Sequence, residues 1–321
     1  MLTWRWSGGL LGSLVLALLA GCGGSAGSTA SDSRTSNTTA QGVGAGGLVV
    51  AASFYPLQWL AAQVGGAAVT VSSLTGQGVE PHDLELTPQD VGAVGDADLV
   101  VYLSGFQPAV DEAVAQQAPE TSLDVAESAQ LNLTYTPIEE GEETGEAGAV
   151  DPHFWLDPMR LADVGDALAV RLGEADPANA AAFTTNAEAV RAQLATLDAE
   201  FTEGLASCAN RDVVTSHNAF GYLAAAYDLT QVGITGLTPE AEPSPADLSA
   251  VTEFVRAHGV STIYYETLLS PDIAQTVANE TGARTSVLDP LEGLTEQSRG
   301  EDYLDVMRAN LASLKTGQPC P

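Results

Sequence analysis

The chain has 321 residues, with 42 acidic against 11 basic side chains and a formal net charge of −31 at pH 7. Such a surface excludes recognition of nucleic acid or anionic lipid through a basic patch and favours cations in a general way. The length, less its N-terminal segments, suits two modest domains.

The first residues read as an address. Arg5 supplies a thin basic region, and the apolar run Leu10 to Ala20 is short for a bilayer span. Leu19-Ala20-Gly21-Cys22 resembles the lipobox of bacterial lipoproteins, which implies a signal peptide over 1–21 and a lipid on Cys22; a plain signal peptide with an incidental cysteine is the alternative. From Gly23 to Gly47 the chain is Gly, Ser, Thr and Ala with almost no apolar bulk, so 22–47 is expected to be a flexible tether. The expected place is extracytoplasmic, lipid-anchored at the cell membrane. In an oxidising compartment the two remaining cysteines, Cys208 and Cys320, read as a disulfide. A Cys/His zinc site is the rival, and it lacks close Cys–Cys spacing.

The body opens with a buried-strand pattern, Leu48 to Ser53, and a helical run from Pro56 to about Val64. Val69 to Leu74 is a second strand candidate, Pro88 starts a short helix behind the N-cap Thr87, Asp98 to Leu103 is a third strand, and Pro108 starts another helix. An acidic, glycine-spaced insertion follows at Glu139–Glu146. Met159 to about Glu174 is helical. Asp176-Pro177 reopens a long helix to about Ala206, with Phe183, Val190, Leu194, Leu197 and Phe201 at helical spacing. A second series then alternates: strands at 212–215, 231–236, 262–265 and 284–288, helices at 219–227, 245–258, 271–281 and 302–314. The pattern predicts two similar α/β lobes with parallel sheets, over 48–175 and 208–321, joined by one long rigid helix within 176–207. A cleft lies between them.

The chain has four histidines. His82 stands behind Pro81 on a stiff turn, His153 behind Pro152, and His217 where the apolar run Val213-Val214 gives way to polar residues. Three of the four therefore stand at element ends, the usual place for functional groups on a rigid scaffold. Neutral imidazole suits zinc and related metals, and three imidazoles from separated segments make a site that only the folded chain assembles. His82 and His153 come from the first lobe and His217 from the second. His258 has no motif around it and reads as a surface residue.

Pro81-His82-Asp83 with Glu85 and Thr87-Pro88, then Asp151-Pro152-His153-Phe154-Trp155-Leu156-Asp157-Pro158, then Ser216-His217-Asn218-Ala219-Phe220-Gly221-Tyr222, resemble the metal-binding solute-binding proteins of ABC importers (cluster A-I, or cluster 9). Within that family the chain is most similar to the zinc-binding lipoproteins. The likeness continues through Tyr265-Glu266-Thr267 and Leu288-Asp289-Pro290-Leu291-Glu292-Gly293. It implies two lobes on a rigid helix, one metal between them, and delivery by a monomer to a membrane permease and its ATPase. The family histidines fall on His82, His153 and His217. A fourth ligand falls on Glu292, with Asp289 or a water as alternatives. Glu266 and Glu80 fall in supporting positions. Many zinc members carry a histidine-rich loop where this chain has Glu139–Glu146.

Manganese relatives commonly place a carboxylate where His217 stands; three nitrogens and one carboxylate suit Zn2+ instead, with Mn2+ or Fe2+ the alternative. The resemblance also allows a surface adhesin. A zinc hydrolase, the reading from another class, needs an open coordination position and a placed general base, and the sequence has no His-Glu-x-x-His motif. No enzyme activity is expected.

Overall fold

The computed structural model describes residues 47–138 and 147–321; the expected signal segment, Cys22, the expected tether up to residue 46 and the acidic run Glu139–Glu146 lie outside the described residues. Among the described residues, no helix is long and apolar enough to cross a membrane.

The first lobe is built from strand β1 (Leu48–Ala52), helix α1 (Tyr55–Gly65), β2 (Val69–Ser73), α2 (Pro88–Asp96), β3 (Leu99–Tyr102), α3 (Pro108–Gln117), β4 (Ser122–Asp124) and the short α4 (Ala126–Ala129). Helices α5 (Pro158–Ala175) and α6 (Ala180–Leu205) follow. The second lobe holds β5 (Asp212–Thr215), α7 (Gly221–Ala226), β6 (Thr230–Gly233), α8 (Pro245–His258), β7 (Thr262–Tyr265), α9 (Asp272–Thr281), β8 (Arg284–Val287) and α10 (Tyr303–Gly317). Two four-stranded sheets result, in the orders β2-β1-β3-β4 and β6-β5-β7-β8. Every strand pairing in them is parallel.

This repeated order explains the apolar runs. A parallel sheet covered by helices on both faces buries both sides of its central strands, so Val50 to Ala52 and Leu99 to Val101 are continuous rather than alternating. It also explains where the polar motifs stand. In open parallel sheets, ligand groups gather beyond the carboxyl ends of the strands. His82 follows β2, His217 follows β5, Glu266 follows β7 and Glu292 follows β8.

Helix α6 is 26 residues long, about 39 Å at 1.5 Å per residue. It buries Phe183, Ala187, Val190, Leu194, Leu197, Phe201 and Leu205, one stripe at three- and four-residue steps, and it packs along α5. Its start differs from the expectation at Asp176-Pro177. The Asp176 carboxylate accepts the Ala178 N–H at 3.1 Å and the Asn179 side-chain amide at 2.6 Å, closing a turn, so the helix begins only at Ala180.

Several other boundaries move by one to three residues. Strand β6 ends at Gly233 rather than Gly236, and α10 runs on to Gly317. Strand β4 and helix α4 were not foreseen; β4 is three residues at a sheet edge and carries no long apolar pattern. Thr87 caps α2 as expected: its hydroxyl accepts the Asp90 N–H while the Asp90 carboxylate accepts the Thr87 N–H, with Pro88 at the first helical position. Cys208 and Cys320 form a disulfide across 112 residues of sequence, tying the segment after α6 to the segment after α10.

Candidate metal centre

Four side chains converge between the lobes. One ligand atom each from His82, His153, His217 and Glu292 can be chosen so that all lie within 4.8 Å of one another. Glu292 Oε1 faces all three imidazoles, 3.0 Å from His153 Nε2 and 3.3 Å from both His82 Nε2 and His217 Nε2. His153 Nε2 and His82 Nε2 are themselves 3.3 Å apart. A tetrahedral ion with arms of about 2.0–2.1 Å separates its ligands by about 3.3 Å. Four of the six separations, those of Glu292 Oε1 to the three imidazoles and of His82 to His153, are therefore close to the edge of such a shell.

Each imidazole is aimed by a different local device. His153 and its neighbours Phe154–Leu156 form a single turn of 3-10 helix before α5. The Asp151 carboxylate accepts both the His153 backbone N–H, at 2.9 Å, and its Nδ1–H, at 2.8 Å. Asp151 is held in turn by its own N–H on the Leu133 carbonyl. The Leu133 and Asn132 amides donate to the Tyr222 hydroxyl of the second lobe. His217 leans on Glu266, whose Oε1 accepts Nδ1–H at 2.8 Å and the Ser216 hydroxyl at 2.7 Å. A carboxylate can only accept, so both rings carry a proton on Nδ1, and a ring that gives up its Nε2 proton turns that lone pair inward. The His82 backbone N–H points at both Glu80 oxygens, at 3.2 and 3.3 Å, and its ring makes a T-shaped contact with Phe106 at 4.8 Å between centroids.

Glu292 is fully buried. Burial works against its charge, but the His217 charge and the imidazoles of His153 and His82 outweigh it and hold the carboxyl well below the usual range. For His217, burial opposes the proton, yet the charges of Glu266 and Glu292 raise its pKa well above the ordinary value. For His153 burial is likewise overcome, by hydrogen bonds to Asp151 and Glu292. Burial does prevail at His82, whose pKa is lowered. Glu80 is pushed up to about 9 by burial and by the charges of Glu292 and Glu240.

Without a cation the centre is incompletely bonded. His217 Nε2 and Glu292 Oε2 are buried and make no aligned hydrogen bond. Leaving such groups unpaired costs about 1–3 kcal/mol each, more where charge is involved, and a cation among the three Nε2 atoms would engage the imidazole lone pairs.

Asp289, the alternative fourth ligand, stands outside the group of four. Its carboxylate instead accepts the Leu291 N–H at 2.8 Å, the Thr267 hydroxyl at 3.0 Å and the Ser298 hydroxyl at 3.2 Å. That brace supports Leu291 at φ 60°, a left-handed conformation costly for a branched side chain, and so turns the next residue, Glu292, inward. His258 is exposed, with Nδ1 2.9 Å from Asp212 Oδ2. The motif alone gives Asp151 no role; its position two residues before a histidine, across a proline, is the available signal.

Two parallel-sheet lobes bridged by a long helix, with a buried histidine–carboxylate cluster between them, define a metal-binding solute-binding protein. The chain belongs to the ZnuA family, zinc-uptake complex component A, periplasmic, whose profile matches residues 50–317. It is 34% identical over 319 residues to the high-affinity zinc uptake system protein ZnuA of Bacillus subtilis, covering 97% of each chain. It is 36% identical over 280 residues to the zinc-binding lipoprotein AdcA of Streptococcus pneumoniae, with 84% of this chain but 56% of that longer protein in the match. Among solved structures, the Zn(II)-bound ZnuA-like domain of that AdcA is similar at a TM-score of 0.70 and 34% identity, covering 85% of this chain and 99% of the domain. The laminin-binding protein Lmb of Streptococcus agalactiae, described as bifunctional with adhesin and metal transporting activity, is similar at 0.74 and 31%, covering 85% and 99%.

Proposed function

We propose that this protein captures Zn2+ outside the cytoplasm and delivers it to an ABC permease driven by its ATPase, with His82, His153, His217 and Glu292 as the four ligands. The observation that carries the reading is the convergence of three Nε2 atoms on one carboxylate oxygen at 3.0–3.3 Å. The donor set favours zinc, because three imidazoles and one carboxylate make a borderline, nitrogen-rich shell of four, whereas Mn2+ prefers more oxygen.

Capture begins when a hydrated cation enters the cleft and exchanges its waters for imidazoles. Protons on His153 and His217 leave as the metal arrives. Asp151 and Glu266 keep both rings in the metal-accepting tautomer throughout. With Glu292 as fourth ligand the shell is closed, and no position remains for an activated water; the reading is binding and transport, not catalysis. In the same reading Cys22 carries the lipid, 22–47 is the tether, 48–175 and 208–321 are the lobes, 176–207 is the link, and the protein works as a monomer. Surface adhesion is a second reading, favoured by the likeness to Lmb, and it would add to metal binding rather than replace it.

The test is elemental analysis of the lipid-free body, refolded without metal and offered equal zinc and manganese. One zinc per chain with manganese excluded is the expected result. Retention of manganese would overturn the metal assignment, and retention of neither would overturn the site.

A further inference from the structure

The three histidines are not supported alike. His153 and His217 are each fixed by a carboxylate on Nδ1, at 2.8 Å. His82 depends on the course of its loop, and Gln107 is built into that loop's foundation. Gln107 is the residue before α3, where it makes no side-chain cap, and its side chain turns into the protein and is buried. Its Nε2 donates to Thr75 Oγ1 at 3.0 Å and to the Pro81 carbonyl at 3.2 Å. Thr75 Oγ1 donates in turn to the Ser53 carbonyl at 2.7 Å. A continuous line of buried bonds thus runs from the end of β1, through the end of β2 and the start of α3, to the peptide immediately before His82.

The orientation of the amide follows from its partners. The Pro81 carbonyl only accepts, and the Thr75 hydroxyl has already given its proton to Ser53, so both must face the NH2 group. Both amide hydrogens are then used. Phe106, the preceding residue, packs its ring at 81° against the His82 imidazole, 4.8 Å between centroids. Two consecutive residues therefore hold His82, one through its backbone and one through its ring.

We propose that Gln107 is the positioning residue for His82, setting the height at which that imidazole enters the zinc centre. The role rests on the reading of His82 as a ligand. A side chain of similar size without the amide, as in Gln107→Leu, leaves the Pro81 carbonyl and the Thr75 oxygen without their donor and frees the His82 turn to shift. Supports behind metal ligands typically cost 10–100-fold in affinity when lost, and Gln107 acts through one peptide rather than on the ring, so about tenfold is expected.

The test is a double-mutant cycle on the full chain with His82→Ala, reading zinc affinity by chelator competition and the visible spectrum of bound Co2+. Gln107→Leu is expected to weaken zinc about tenfold and to shift the Co2+ bands toward those of His82→Ala. In the His82→Ala background it should change affinity by less than about twofold, since interacting sites are non-additive. Gln107→Asn carries the same cycle should the leucine variant not fold. Equal losses in both backgrounds, or wild-type affinity with an unshifted spectrum, would overturn the role of Gln107 alone. A His82→Ala chain that binds zinc as tightly as the parent would overturn the ligand assignment, and this role with it.

Discussion

Trp155 Nε1 donates a 2.7 Å hydrogen bond to the carbonyl oxygen of Pro290, joining the turn that carries His153 to the loop that carries Glu292. The Trp155 carbonyl in turn accepts the Tyr303 hydroxyl of α10 at 2.6 Å, and the Tyr303 ring stacks on Trp59 of α1. On α10, the Asn310 side chain grips Asp289 by both its N–H and its carbonyl, at 2.9 and 2.7 Å. The segments that carry His153 and Glu292, from opposite lobes, are thus linked by buried bonds outside the cluster itself. With α6 lying along α5, this favours a small closure on binding over a wide hinge motion.

Replacing Trp155 with Phe keeps most of the packing and removes the one N–H. The Pro290 carbonyl is then buried without a donor, at a cost of about 1–3 kcal/mol. Chemical denaturation should register that loss. Zinc affinity should also fall, as His153 and Glu292 lose their common tether; an affinity equal to the parent would show that the link is structural only.

Gly221 opens α7 directly against Asp151, and a Cβ placed there would lie 2.4 Å from Asp151 Oδ2. Ala is the better helix former by about 1 kcal/mol, so propensity alone predicts that Gly221→Ala stabilises the protein. The contact predicts instead that Asp151 is displaced and His153 released, with zinc bound about tenfold more weakly. Calorimetric titration decides between the two.

Proton release follows from the raised pKa values of His153 and His217, which leave both rings largely protonated in the metal-free protein near pH 6. Zinc needs them neutral, so binding at pH 6 should expel more than one proton per ion, and fewer as pH rises through their folded values. Affinity should weaken on acidification. Titration calorimetry in buffers of different ionisation enthalpy counts the protons, and a count of zero would remove the two histidines from the site.

Stability of the metal-free protein should run the opposite way to its affinity above neutral pH. The raised pKa of His217 contributes stability that is complete below its unfolded value of about 6.5 and is lost as pH rises through the folded value. Glu80, raised to about 9, and Asp289, also raised by burial, act in the same direction. Glu292, held low, contributes above its unfolded value of about 4.3 and loses that contribution as pH falls through its folded value. His82, lowered by burial, opposes folding somewhat below pH 6.5. The net expectation is a higher Tm at pH 6 than at pH 8.5 without metal, and the reverse order with saturating zinc. A metal-free Tm that rises over that range would count against the charged pair in the centre.

Reduction of Cys208–Cys320 releases a constraint on 112 residues of chain. A stability loss of about 2–5 kcal/mol is expected. None of the four residues of the centre takes part in the disulfide, so zinc stoichiometry should stay at one per chain. Denaturation and metal analysis with and without reductant measure the two quantities separately.

Much of this molecule was legible without coordinates. Prolines behind His82 and His153, the apolar run before His217, and the period of Phe183 to Phe201 are local patterns that short-range sterics and hydrophobicity impose, and they marked the site segments, the two lobes and the long helix. The loop after the last strand of the second lobe also pointed to Glu292, although it left Asp289 beside it as an alternative. In the folded chain the two carboxylates face different partners. Asp289 meets Thr267, Leu291 and Ser298, while the left-handed Leu291 turns Glu292 towards three imidazoles. The supports of Asp151, Gln107, Asn310 and Trp155 were equally invisible, because a buried hydrogen bond joins residues that are remote in sequence and leaves no period or composition behind. Sequence determined which residues could bind a metal; tertiary packing decided which carboxylate faces the centre and how rigidly each imidazole is held.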